Sequence, residues 1–146
     1  MIKDAVRKII EADSEITDAL ATYQFADGAA LKPAVFVTPE FPEDIKYPAI
    51  LIDIVSGSSW GCRGNRGADT LVDVSVYDQK RFNNEALEAL AENIWKALDR
   101  ANIDAYLLTE GYECWGCQAA YPRMNNDEDG YPGFVISVRM TITEVD

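Results

Sequence analysis

Apolar positions recur along this chain in two different periods, and the switches between them mark out its elements. Ile2, Ala5, Val6, Ile9 and Ile10 fall at helical spacing, and Asp13 or Ser14 can cap a second short helix carrying Ile16, Ala19 and Leu20. Over residues 25–48 the period is lost. Gly28, Pro33, Pro39, Pro42 and Pro48 punctuate this stretch, which predicts a long surface connection with at most a short extended piece at 34–37. The period then becomes two. In residues 47–55, Ile50, Ile52 and Ile54 share a face, and in 69–77 Val72, Val74 and Val76 do, while Asp53, Asp73 and Ser75 take the other. Helical spacing returns at Asn83 or Asn84. Over 84–100, Leu87, Leu90, Ala91, Ile94, Leu98 and Ala101 form one stripe flanked by Trp95, and Glu85, Glu88 and Glu92 gather toward the helix's positive end. Two further strands close the pattern, 112–121 and 134–144. In the second, Phe134, Ile136, Val138, Met140 and Ile142 alternate with Val135, Ser137, Arg139, Thr141 and Thr143.

Helices, hairpin, helix, hairpin is an order that predicts an α+β fold, a mainly antiparallel sheet of two hairpins with helices packed on one face. At 146 residues the default is a single domain, 1–146. Between the first two strands lies Ser56-Gly57-Ser58-Ser59-Trp60-Gly61-Cys62-Arg63-Gly64-Asn65-Arg66-Gly67-Ala68, too long for a tight turn and too glycine-rich to hold a shape by itself. It predicts a protruding loop. An aromatic with two arginines near the tip, Trp60, Arg63 and Arg66, is the composition of a partner-binding anchor, against the plainer alternative of an inert solvated loop.

Charge narrows the partners. Twenty-five acidic residues against thirteen basic ones leave a formal charge of -12, which opposes the phosphate neutralisation that drives nucleic-acid binding. The acidity keeps the protein soluble, or matches a basic partner, or lines a passage to which a polyanion must not stick. With 48% hydrophobic residues the composition is that of a globular chain. The first residues lack an apolar signal-type stretch and no segment approaches the length of a bilayer span, so no membrane association is expected. Three cysteines, Cys62, Cys114 and Cys117, are too few and too odd in number for a disulfide scaffold, and a reducing compartment is expected.

Four local patterns bear on chemistry. Cys114-Trp115-Gly116-Cys117 has the spacing of a thioredoxin-like redox site, and a thiol-disulfide oxidoreductase using Cys114 and Cys117 is the alternative function. Gln118-Ala119-Ala120-Tyr121-Pro122 is a poor helix start, however, and in a regular strand residues three apart point to opposite faces. Half-buried structural cysteines are the plainer reading. Cys62 makes a third sulfur, short of the four ligands of structural zinc, and the chain has no histidine, which removes Ser-His-Asp and Cys-His catalysis. Asn125-Asn126-Asp127-Glu128-Asp129-Gly130 matches the first half of a calcium loop, but Ile136 stands where the closing glutamate should be. Gly61, Gly64 and Gly67 lack the lysine and the helix of a phosphate cradle. No catalytic, cofactor-binding or metal-binding residue is therefore expected.

The order of pieces resembles the tail-terminator or tail-completion proteins of long-tailed bacteriophages. The resemblance spans nearly the whole chain. It is carried by the N-terminal helix ending at Ala12-Asp13 with a short helix after it, by Ala34-Val35-Phe36 and the run to Tyr47-Pro48-Ala49-Ile50-Leu51-Ile52, by residues 71–78 followed by the helix 84–100, and by the final strand from Tyr131-Pro132-Gly133-Phe134. It implies a virion protein of the neck or tail, assembled in the bacterial host cytoplasm and encoded by a phage or prophage. It further implies a homo-oligomeric ring, generally a hexamer, that caps the tail-tube protein, joins the head-completion protein and lets DNA pass through without binding its sequence. The 57–67 loop and the 114–117 segment depart from the simplest pattern of that family.

Overall fold

A computed structural model describes residues 2–25, 30–38, 40–62, 65–79, 85–101, 103–126 and 131–144. The chain opens with α1 (Ile2–Glu11), whose buried side is Ile2, Ala5, Val6 and Ile10, and α2 (Ser14–Thr17). Asp13 caps α2, its carboxylate accepting from the Glu15 amide at 3.0 Å. Short strands β1 (Thr22–Tyr23), β2 (Lys32–Pro33) and β3 (Val35–Phe36) lead into two long ones, β4 (Ala49–Cys62) and β5 (Asn65–Tyr77). Then come α3 (Glu85–Leu98), α4 (Asp104–Leu107) with a 3-10 turn at Leu108–Glu110, β6 (Tyr112–Ala119), β7 (Arg123–Met124) and β8 (Gly133–Glu144). Gly111, at φ 87°, ends the 3-10 turn in the left-handed region that glycine enters without strain, and so turns the chain into β6.

The main sheet runs β3-β4-β5-β8-β6, with β7 also on β8. Both predicted hairpins are present and antiparallel, and β8 lies between them, paired to β5 and to β6. Only β3 departs, running parallel to β4 through Val35↔Ile50 and Phe36↔Leu51. The alternation in the strands has the expected result: Ile50, Ile52, Val72, Val74, Val76, Ile136, Val138 and Met140 lie buried beneath the helices with Leu87, Leu90, Ala91, Ile94 and Leu98 of α3. All helices that meet the core do so on this face. Predicted and observed strands agree closely at 112–119 and 133–144, and the helix predicted over 84–100 forms as Glu85–Leu98.

Among the described residues, the opposite face is covered at one end only. There Phe36 and Ala49 form a second core with Ala34, and the Pro-broken connection folds its aromatics over them. Phe36 meets Tyr23, Phe25 and Phe41 edge-on or tilted at 5.1–5.6 Å, and Phe41 continues to Tyr77 at 5.8 Å. Gly133 is required at this end, because a Cβ there would collide with the Tyr77 ring and the Asn125 carbonyl.

Candidate assembly surface

The predicted loop is a correction: residues 56–62 and 65–68 continue the ladder. β4 and β5 stay paired through Ser58↔Asp69, Ser59↔Ala68, Trp60↔Gly67 and Gly61↔Arg66 to Cys62↔Asn65, so the segment is a two-stranded arm. Serine and glycine carry no strand signal, yet a ladder is made of backbone bonds that these residues supply as well as valine does. β8 supports the arm from below, reaching Ala68↔Ile142 and Gly67↔Thr143. Of the three predicted anchors, Arg66 is exposed on β5 close to the tip. Trp60 sits in β4 opposite Gly67, but its side chain lies outside the described residues, as does all of Arg63.

Beyond the aromatic cluster the second sheet face is, among the described residues, open and polar. Ser137 donates to the Asp73 carboxylate at 2.7 Å and accepts from Arg123 at 3.1 Å, and Thr141 donates to Asp69 at 2.8 Å. These bonds fix the carboxylates in a row along β5. At the edge of β4, Lys3 of α1 reaches Asp53 at 3.6 Å and donates to the Val37 carbonyl at 3.1 Å. Such exposed pairs add little stability, but they set where charge stands on the face.

The two long edges of the sheet differ. On β6, whose outer edge would otherwise offer free backbone groups, α3, the α3–α4 connection and the start of α4 supply partners. Asp104 accepts from the Cys114 amide and Asp99 from the Ala119 amide. Trp95 Nε1 donates to the Ala119 carbonyl, and the Arg100 amide donates to the Cys117 carbonyl. That edge is closed to strand addition. On β4, β3 covers only Ile50 and Leu51, and among the described residues no strand pairs with the rest of its outer edge. A register shift between Ile54 and Ser56 leaves Val55 bulged, with Ile54 41% and Val55 54% exposed. The alternation predicts Ile54 in the core; it lies instead past the cover of the helices.

A second register shift, between Cys114 and Gly116, overturns the expectation that these two cysteines face apart. Trp115 takes up the extra position, so Cys114 stands opposite Ile142 and Cys117 opposite Met140, both on the core side. Their thiols are nonetheless unsuited to redox attack, which needs an accessible thiolate. Burial raises Cys114, aided by the charge of Asp104, and burial, with Cys114 and Asp99 nearby, pushes Cys117 up from 9.0 to about 11. A thiol whose folded pKa is raised favours folding while protonated, so its contribution is complete below pH 9.0 and is lost as pH rises toward about 11. We expect chemical denaturation to show stability falling with pH across that window, and Cys117→Ser to remove part of that fall. An unchanged pH profile in the serine variant would contradict it.

Among the described residues no three His, Cys, Asp or Glu side chains gather to hold a metal ion, and no helix is long and apolar enough to cross a membrane. Residues 127–130 of the half calcium loop lie outside the described residues. Sequence reasoning misses Trp115, which is 73% exposed at its bulge although its Nε1 donates to Thr143 Oγ1 at 2.7 Å. Nothing in local composition marks a bulge.

This open-faced, single-sided sheet with a projecting arm has a counterpart among solved structures. The chain is similar in fold to a chain in the virion of a native gene transfer agent (GTA) particle, with a TM-score of 0.63 over 97% of this chain and 93% of that one, at 17% identity. No protein-family model and no curated protein matches the sequence.

Proposed function

We propose that this chain is a structural subunit of a phage-like virion, and within it a ring-forming neck or tail protein that caps the tail tube and joins it to head-completion proteins. The observation that carries the reading is the likeness of fold, end to end, to a virion chain. Three features support the finer role. A net charge of -12 suits the wall of a passage that DNA must traverse without sticking. The open polar face leaves a broad surface for neighbours, and the arm carries Arg66, with Trp60 and Arg63 in the same stretch of sequence, toward an acidic neighbouring copy. The ring is generally six copies in the family that the sequence resembles. The oxidoreductase alternative has against it the two raised, core-facing thiols.

Removing the gene from the phage or prophage that encodes the protein tests this role. Heads without joined tails, together with tails of uncontrolled length, are expected by electron microscopy. Tails of normal length joined to filled heads would overturn the proposal.

A further inference from the structure

Independently of the ring reading, we infer that Trp115 is a docking point for an arginine side chain of a basic partner protein, the indole receiving the guanidinium while Glu113 and Asp69 supply the counter-charge. Trp115 is the most exposed large apolar side chain of the described residues, at 73%. It is not loose. Its Nε1 donates to Thr143 Oγ1 at 2.7 Å, and the same hydroxyl donates to Glu113 at 3.4 Å, so one threonine holds the ring and a carboxylate together over the polar sheet face. A side chain fixed in advance loses little freedom when it is covered. There is room beside it, because a Cβ built on Gly116 would meet nothing within 4 Å. Another exposed aromatic, Tyr121, is occupied: it packs edge-on against Trp95 at 5.2 Å and donates to Glu92 at 2.6 Å.

The charges around the ring choose the occupant. Two rows of the sheet pass it, Glu113, Thr143 and Gly67 in one and Gly116, Thr141 and Asp69 in the other, and they hold two carboxylates and no cation. Asp69 is kept in place by Thr141, which donates to it at 2.8 Å. Arg139 stands in the next row, with Leu71 and Gln118. An indole face attracts a cation through its negative ring centre, and the guanidinium suits this setting better than an ammonium. It is planar, weakly hydrated and able to stack on the ring while its N–H edge donates to a carboxylate. A purely apolar occupant would leave Glu113 and Asp69 facing nothing of opposite sign. A second copy is the poorer occupant, since two chains of charge -12 repel on approach, whereas a basic protein is attracted by the whole surface.

The experiment titrates the full chain with the capped peptide Gly-Arg-Arg-Gly and follows the indole N–H resonances by NMR, Trp115→Phe identifying the one that belongs to Trp115. That resonance should move saturably, and the same peptide with citrulline for arginine, which keeps the shape and loses the charge, should leave it in place. Affinity should fall about tenfold in Trp115→Leu, which keeps an apolar side chain without a ring, and less in Trp115→Phe. Glu113→Gln should weaken binding about threefold. Circular dichroism checks folding of each variant, and the wild-type resonance with the two peptides decides the matter if a variant does not fold. A Trp115 resonance that stays still while the arginine peptide binds, an equal response to citrulline, or undiminished binding by folded Trp115→Leu would overturn the proposal. So would a Trp115 resonance that shifts with protein concentration alone, which would make a second copy the occupant.

Discussion

Ile94→Ala is expected to destabilise the protein by about 2–5 kcal/mol, one of the largest effects of any single truncation. Ile94 is fully buried on α3, which packs across β8, β6 and β5 and so closes the core over both hairpins. Shortening its side chain loses transfer energy and leaves a void that the sheet below cannot fill, because strands held on both sides by ladders do not collapse inward. Leu90→Ala, one turn earlier on the same buried stripe, should fall in the same range. Denaturant titration gives both values. Near-zero changes in both would mean that this face of α3 does not carry the core.

Removing the arm should do the opposite, sparing the fold and abolishing assembly. The observed register dictates how to cut. Ser58 and Asp69 are partners, so replacing residues 59–68 by Asn-Gly leaves them as the closing pair of a two-residue hairpin. The cut costs β8 its pairings at Gly67 and Ala68 and leaves the ladder from Asp69 to Tyr77 in place. Circular dichroism should therefore match the parent, while light scattering should show a ring reduced to monomers and, in the phage, tail capping should fail. A shortened protein that still closes into rings would relieve the arm of any part in assembly.

Much of this fold is legible in the sequence because side-chain alternation and burial agree. Phe134, Ile136, Val138, Met140 and Ile142 announce a half-buried strand, and the stripe from Leu87 to Leu98 announces the helix above it. Structure made by backbone alone, or by distant residues, escapes such a reading. The arm is a ladder of serine and glycine, whose side chains carry no period. The bulges at Val55 and Trp115 each insert one position, which reverses the facing of everything beyond, and so Cys114 and Cys117 come to share the core side. The aromatic cluster joins Tyr23, Phe36, Phe41 and Tyr77 from three separate stretches, one of them a Pro-broken connection without any regular pattern. The candidate contact surfaces are visible only in part for the same reason. Trp60, Arg63 and Arg66 stand out by composition, whereas the exposed Trp115 and the open edge of β4 depend on a bulge and on the end of β3.

The proposed ring at the junction of tail and head can be checked by electron cryo-microscopy of the intact particle. The predicted result is a closed ring of this chain, resolved between the last layer of the tail tube and the head-completion proteins, with DNA or an open channel along its axis. Particles that are complete and infective but contain no density for the chain, or that hold it as isolated copies elsewhere, would contradict it.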